Sequence, residues 1–217
     1  MRIGFIGYGS MTRALASRWL GVHEVMLGGR NPEKARGVAE ELGVGFGADE
    51  REVVGGSDVV VLATRHEGVF DAIEACGGGS AFAGKVVVDI NNPVDVGGSY
   101  VPKRYAGLSL SEAIADRMSD ASVVKAFNMC QAAVWTMDPP LFDGRVLVTP
   151  ICGDDGDAKG VVSGLVGLVG SEAWDVGGLE YAASLECVAG LVIKLLMERR
   201  DPQTVFNLIQ PEVKPIG

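Results

Sequence analysis

The chain has 217 residues, of which 47% are hydrophobic and 22% charged, a balance typical of a folded globular protein rather than a disordered one. Its 19 basic and 28 acidic side chains give a net charge of −9, which disfavours a nucleic-acid partner. No apolar run is long enough to predict a membrane span, and four scattered cysteines without a C-x-x-C pair favour a cytoplasmic protein with reduced thiols and no metal centre.

Strand and helix patterns alternate along most of the chain. The predicted elements are, in order, a strand over 2–7, a helix over 10–20, a strand over 24–28, a helix over 33–42, a short strand at 44–46, a strand over 58–63, a helix over 66–76, a strand over 85–90, a helix over 109–118, strands over 122–127 and 145–152, a helix over 157–169, a short extended piece at 174–176 and a long helix over 180–200. The β-branched runs within 58–63 and 85–90 are typical of strands covered on both faces of a parallel sheet. We therefore predict an α/β protein of the Rossmann type, with a doubly wound, mainly parallel sheet and a small C-terminal helical segment.

A glycine-rich turn joins the first predicted strand to the first predicted helix, and its residues are Gly7, Tyr8, Gly9, Ser10, Met11 and Thr12. Gly7 permits a sharp turn, and Gly9 lets the backbone approach a pyrophosphate at the positive end of the helix. Thr12 stands where a third small residue is usual. The position of the motif in a first β-α-β unit favours a dinucleotide site over an ordinary glycine-rich turn.

The end of the second strand indicates which nicotinamide cofactor is bound. A site for NAD places an acid there to bind the ribose 2′-hydroxyl, but this chain continues as Gly29, Arg30 and Asn31, with Lys34 in the next helical turn. A guanidinium can clamp a 2′-phosphate, whereas a carboxylate repels it. The sequence therefore favours NADP(H), although Arg30 and Lys34 also fit solvated surface charge.

Two further strand ends are expected at the same crevice, because ligands of open α/β sheets bind beyond the carboxyl ends of the strands. Ala63 and Thr64 follow one strand, and Asn91 and Pro93 follow another; a cis bond before Pro93 would fix a tight turn near the cofactor, although ordinary turn chemistry is an equal alternative. The two histidines are far apart in the sequence and predict no general base. Hydride transfer without an acid–base residue suits a reaction between two cofactors, in which orientation carries most of the catalysis.

Six sequence segments occur in the order seen in a known family: 7–11, 29–34, 89–93, 123–128, 152–155 and 174–179. Together they resemble the coenzyme F420-dependent NADP oxidoreductases and the related cytosolic domain of the STEAP metalloreductases. The resemblance implies a homodimer that exchanges hydride between NADP(H) and a deazaflavin or flavin. It also implies roles for particular residues: Gly7, Gly9, Ser10 and Met11 at the pyrophosphate, Arg30 at the 2′-phosphate, Ala63 and Thr64 at the nicotinamide ribose, and Asn128 and Met129 near the stacked rings.

Two alternative functions remain open. A reductase acting on a C=C or C=N bond of a biosynthetic substrate would need a proton donor, and Lys194 in Gly190-x-x-x-Lys194 is a weak candidate. A non-catalytic NADPH-sensing module would use the same glycines. In each case residues 1–128 form the predicted NADP-binding domain. Residues 129–217 form a smaller segment with the long helix, the acceptor site and a dimer contact.

Overall fold

Eight strands in the described part of the chain form one sheet, and two short ones form a separate hairpin. These elements belong to a computed structural model that describes residues 1–200, so residues 201–217 of the predicted C-terminal segment lie outside it. The strands are β1 (Arg2–Ile6), β2 (Glu24–Gly28), β3 (Gly45–Phe46), β4 (Val59–Leu62), β5 (Val86–Asp89), β6 (Ser122–Lys125), β7 (Leu141–Phe142), β8 (Arg145–Val146), β9 (Val148–Gly153) and β10 (Glu172–Asp175). The helices are α1 (Ser10–Trp19), α2 (Pro32–Leu42), α3 (Glu50–Gly55), α4 (Val69–Ala75), α5 (Leu110–Arg117), α6 (Ala132–Trp135), α7 (Gly156–Leu168) and α8 (Ala182–Met197).

The sheet runs in the order β10-β9-β6-β5-β4-β1-β2-β3, and neighbouring strands are parallel except at the junction of β6 with β9. The part from β3 to β6 has the strand order of the doubly wound dinucleotide-binding folds. The predicted fold class is therefore confirmed. The segment after residue 128 adds β9 and β10 to the same sheet.

Helices cover both faces of the sheet, which explains why the central strands are apolar throughout. Val59–Leu62 is buried at every position. One core cluster joins the sheet to α1, α2 and α7, and the other joins it to α3, α4, α5 and α8. Since both sides of β4 and β5 are covered, alternation of apolar and polar residues is absent there.

Several sequence predictions need correction. The predicted helix over 66–76 begins with a 3₁₀ turn at His66–Gly68, and the strand predicted over 145–152 is divided between β8 and β9. The bond before Pro93 is trans. The chain leaves β5 in a loop in which Val94 bridges to Pro102, and not in a tight turn. The cis bond among residues 1–200 is Asp138–Pro139.

The C-terminal helix α8 is less covered than its composition predicts. Glu186 and Ala189 are buried, but Val188 and Leu191, three residues apart on one side of the helix, are 40% and 46% exposed. One apolar face of α8 therefore remains uncovered in a single chain. No helix among residues 1–200 combines the length and apolar character that a bilayer crossing requires.

Candidate cofactor site

The site lies where the strand order reverses, between the carboxyl ends of β1 and β4. Gly7 follows β1 with φ +123°, and a Cβ atom on it would lie 2.3 Å from the carbonyl oxygen of Ala63. Its N–H donates to the carbonyl oxygen of Gly28 at 2.8 Å. Only glycine fits this contact, so the backbone itself forms the floor of the crevice.

The N-terminus of α1 opens beside this contact without a capping side chain. Gly9 is the N-cap residue, a Cβ on it would meet no atom within 4 Å, and the first turn contains no acid. Ser10 is exposed and Met11 is half-buried. The first N–H groups of a helix have no partner within the helix, and the helix dipole favours an anion there. The turn therefore has the free donors that a pyrophosphate requires.

Thr12 supports the turn rather than facing a ligand. Its side chain is fully buried, and its Oγ1 donates to the carbonyl oxygen of Gly7 at 3.0 Å. The hydroxyl thus holds the strand-to-helix corner together. The small residue that is usual at this position could not form this hydrogen bond, whereas the buried Thr12 does.

The end of β2 presents a cation and no carboxylate. Gly29 is buried, and a Cβ on it would lie 3.0 Å from the ring of Tyr8. Arg30 and Lys34 are exposed, and neither forms an ion pair with any residue of the described chain. The side chain of Asn31 caps α2, because its Oδ1 accepts the Lys34 N–H at 3.0 Å.

A cleft of about 320 Å³ continues from the turn across the ends of β4 and β5. Its lining residues come from α1, from the chain after β4 and from the chain after β5: Met11, Ala63, Thr64, Arg65, His66, Glu67, Ile90, Asn91, Asn92, Val94, Asp95 and Val96. Two buried atoms here, Thr64 Oγ1 and His66 Nδ1, have no hydrogen-bond partner within residues 1–200. Unpartnered buried polar atoms are costly, so they indicate a place that a polar ligand completes.

Asparagines hold the chain after β5 against its neighbours. Asn91 Nδ2 donates to the carbonyl oxygen of Leu62 at 2.9 Å. Asn92 and Asn128 bind each other: Asn92 Nδ2 donates to the Asn128 carbonyl at 2.7 Å, and Asn128 Nδ2 donates to Asn92 Oδ1 at 3.0 Å. Asn128 Oδ1 is buried without a partner in the described chain. Pro93 is buried, and its carbonyl accepts the N–H of Lys103.

Asn128 owes its position to a strained neighbour. Phe127 has φ +57°, which is uncommon for a residue with a side chain, and it is 1% exposed. Its ring packs edge-on against Trp19 and Trp135, with centroids 5.8 and 5.2 Å apart. This packing holds the backbone in the strained conformation, next to the Asn128 that pairs with Asn92.

Three buried charged residues at this end of the sheet were missed by the sequence analysis. Lys125 Nζ lies 2.9 Å from Asp89 Oδ2 and 3.2 Å from Glu186 Oε1, and all three side chains are fully buried. Burial lowers the pKa of Lys125, but the two carboxylates outweigh it and keep the pKa above its usual value. Burial raises the pKa of Glu186. The sequence did contain a signal for this cluster: each of these three charged residues stands alone within an otherwise apolar segment.

Asn128 and Met129, predicted near the stacked rings, and Lys194, the candidate proton donor, are not among the residues that line the cleft. The Lys194 ammonium binds Glu198 one helical turn later at 2.6 Å and lies 5.3 Å from the centroid of the Tyr100 ring. Met129 is half-buried and follows Asn128.

Comparison with known proteins agrees with this geometry. Residues 2–93 match the family described as NADP oxidoreductase, coenzyme F420-dependent. Over 189 residues the chain is 31% identical to the metalloreductase STEAP3 of Rattus norvegicus, an alignment that covers 86% of this chain and 36% of the rat protein. The chain thus spans just over a third of the length of that curated relative.

Solved structures share the same architecture. A protein of Arthrobacter sp. FB24, provisionally named an F420-dependent NADP-reductase, is 28% identical with a TM-score of 0.80, and 91% of this chain and 94% of that one are covered. The imine reductase of Aspergillus terreus, at 18% identity and a TM-score of 0.62, covers 91% of this chain and 60% of its own, and shows the fold alone.

The strand order and the glycine-rich turn define a protein of the Rossmann dinucleotide-binding class. Within that class, residues 2–93 match the family of coenzyme F420-dependent NADP oxidoreductases. The resemblance found in the sequence is thereby confirmed.

Proposed function

We propose that the chain is an NADP(H)-dependent oxidoreductase that exchanges hydride with the deazaflavin coenzyme F420 or with a flavin. One observation carries the proposal: the uncapped N-terminus of α1 stands at the switch point of the sheet, beside a β2 end that offers Arg30 and no carboxylate. The relatives whose names mention F420 and NADP support it. When bound, the nicotinamide supplies or accepts the hydride.

Each part of the cofactor has candidate partners in the chain. The backbone N–H groups of Gly9, Ser10 and Met11 would hold the pyrophosphate. The guanidinium of Arg30 would hold the 2′-phosphate, with Lys34 adding positive charge. Thr64 Oγ1 and Asn128 Oδ1, which are buried and unpartnered within the described chain, fit the polar groups of the nicotinamide half.

The chain contributes orientation rather than proton transfer in this proposal. The cleft walls at Met11, Ala63 and Ile90 would align the two reactants and exclude water between them. A lysine proton donor is disfavoured, because the Lys194 ammonium is engaged by Glu198. Hydride transfer to a deazaflavin or flavin is therefore preferred over reduction of a C=C or C=N bond.

Calorimetry tests the cofactor. We expect the protein to bind NADPH at least about tenfold more tightly than NADH, since a charge-assisted bond to a phosphate contributes about 1.5–3 kcal/mol. Arg30→Ser is expected to abolish this preference. Arg145→Ser, which removes an exposed arginine of the β7–β8 hairpin, is the matched control and should leave it unchanged. Equal affinities of the wild type for NADPH and NADH would contradict the proposal.

Mixing the protein with NADPH and an oxidised acceptor tests the reaction. We expect the visible absorption band of coenzyme F420 or of FMN to disappear as NADPH is oxidised. A protein that binds NADPH but turns over with neither acceptor would be a sensor instead. Substitution of Lys194 by Ala should leave the rate unchanged, and loss of turnover at unchanged NADPH affinity would favour the alternative reductase.

We further propose that the protein acts as a homodimer in the cytoplasm. The exposed apolar side chains of α8, including Val188 and Leu191, are the supporting feature for the dimer. The four unpaired thiols suit a reducing compartment. Sedimentation should give twice the chain mass for the wild type and one chain mass for Leu191→Glu. Val22→Glu, at an exposed position outside α8, should remain dimeric.

A further inference from the structure

Lys125 lies in a fully buried cluster with the carboxylates of Asp89 and Glu186. Its third partner, Asn91, lines the candidate cofactor cleft. Lys125 Nζ donates to the carbonyl oxygen of Asn91 at 2.6 Å, in addition to Asp89 and Glu186. We propose that Lys125 is a positioning residue that sets the geometry of the nicotinamide half of the cleft. This inference rests on the proposed function.

The first step of the argument is the path from Lys125 to the cleft wall. Lys125 ends β6, and Asn91 lies just beyond the end of β5. Asn91 in turn donates through Nδ2 to the carbonyl oxygen of Leu62, the residue before Ala63 and Thr64. One ammonium group therefore ties together the ends of three adjacent strands, from which two cleft walls are built.

The second step is the link to the C-terminal segment. Glu186 of α8 accepts from Lys125 Nζ at 3.2 Å and from the Leu110 N–H at 3.1 Å. Ser111 Oγ donates to Asp89 Oδ2 at 2.6 Å. Helices α5 and α8 are thus joined to the same ammonium group, so the segment after residue 128 helps to fix the cofactor end of the sheet.

The third step concerns what such a cluster is for. Buried ion pairs contribute little net stability compared with apolar residues of similar volume, and in some proteins they fix a particular arrangement instead. Here the bonds converge on the backbone beside Thr64 and the Asn92–Asn128 pair. Removal of the ammonium leaves Asp89 and Glu186 as two buried carboxylates without a cation, and their repulsion would displace the ends of β5 and α8.

The adenosine half of the site provides an internal reference. Gly9 and Arg30 lie at the ends of β1 and β2, and no bond of the Lys125 cluster involves those strands. A ligand that occupies only the adenosine half should therefore be insensitive to Lys125, whereas the complete dinucleotide should depend on it. A general loss of folding would lower the affinities for both ligands alike.

The experiment compares two ligands on two lysine variants. For Lys125→Met we expect the affinity for NADPH to fall about tenfold or more, while the affinity for adenosine 2′,5′-bisphosphate stays within about twofold of wild type. Lys85→Met is the matched control: Lys85 Nζ also donates to a backbone carbonyl, that of Ser57 at 2.7 Å, but at the amino ends of β4 and β5, away from the cleft. Its affinities for both ligands should equal those of wild type.

A second variant keeps the test decisive if Lys125→Met does not fold. Glu186→Gln removes one carboxylate but retains an oxygen that can accept the Leu110 N–H. It should lower the affinity for NADPH by a smaller factor than Lys125→Met does, and leave the affinity for adenosine 2′,5′-bisphosphate unchanged. Unchanged NADPH affinity in the folded variant, or an equal loss for both ligands, would overturn the positioning role. Failure of the wild type to bind NADPH would instead overturn the proposed function.

Discussion

Gly7 and Gly9 stand two residues apart in one turn, yet the structure predicts different consequences for a side chain at each. At Gly7, alanine must adopt φ +123° with its Cβ 2.3 Å from the Ala63 oxygen. We expect Gly7→Ala to lower the free energy of unfolding by about 1–3 kcal/mol or more, because strain and overlap act together. Urea unfolding followed by circular dichroism measures this loss, and a stability equal to wild type would contradict it.

Gly9→Ala should behave in the opposite way. The backbone there has φ −79°, and a Cβ meets no protein atom within 4 Å. We expect the free energy of unfolding to change by less than about 1 kcal/mol. The affinity for NADPH should nevertheless fall, since the methyl group occupies the space that the pyrophosphate needs. Calorimetry with NADPH would disprove this if the variant bound as tightly as wild type.

Asp58 gives the protein a defined response to acid. Arg2 donates to its carboxylate through both the guanidinium and the backbone N–H, and these bonds lower the pKa of Asp58 to about 2. A carboxyl group with a lowered pKa in the folded state stabilises the protein above its ordinary pKa, and this contribution is lost as the pH falls toward about 2. Asp58→Asn should therefore be less stable than wild type at pH 6, and the difference should shrink by pH 2 in urea titrations. A constant difference would contradict this assignment.

At the scale of single residues, the sequence predicts backbone roles better than buried side-chain roles. Gly7 and Arg30 could be proposed because a turn between a strand and a helix fixes where they lie. Lys125 and its partners could not, since Asp89 and Glu186 are 36 and 61 residues away and only the folded sheet brings them together. The two buried, unpartnered atoms of the cleft, Thr64 Oγ1 and His66 Nδ1, likewise come together only in the folded chain.

The start of helix α2 combines a structural and a binding role, and two substitutions separate them. Asn31→Ala removes the cap from the Lys34 N–H and should cost about 1 kcal/mol of stability. Asn31→Asp keeps the cap but adds a negative charge beside Arg30. We expect this variant to keep the stability of the wild type while its affinity for NADPH falls more than its affinity for NADH. Thermal unfolding and calorimetry measure the two effects, and parallel loss of both ligands would contradict the assignment.

Elements with a clear period or a continuous β-branched run were the ones predicted. Strand β2 has the predicted bounds, and β4 and β5 lie within theirs. Helix α3 was not predicted, because six residues are too few to reveal a helical period. The short hairpin strand β7 was also missed; it has two residues and follows Pro139 and Pro140, so no strand pattern precedes it.

The whole molecule is expected to unfold in one step, despite the predicted division at residue 128. Trp19 of α1 donates through Nε1 to the Leu165 carbonyl of α7 at 3.0 Å, and both belong to one core cluster. Since this core spans the division, the two parts should lose structure together. Tryptophan fluorescence and circular dichroism should report the same urea midpoint. Two separated transitions would show that the parts fold independently.

The antiparallel pairing of β6 with β9 brings the chain after residue 128 back to the carboxyl ends of the parallel strands. Strand β9 begins at Val148. Because Lys125, the last residue of β6, pairs with Cys152, Val148 lies beyond the carboxyl end of β6. The β7–β8 hairpin, in which Leu141, Phe142 and Val146 are exposed, immediately precedes Val148 in the chain. Residues 141–146 are thus a segment whose sequence can be varied while Gly7, Gly9 and Arg30 are left unchanged.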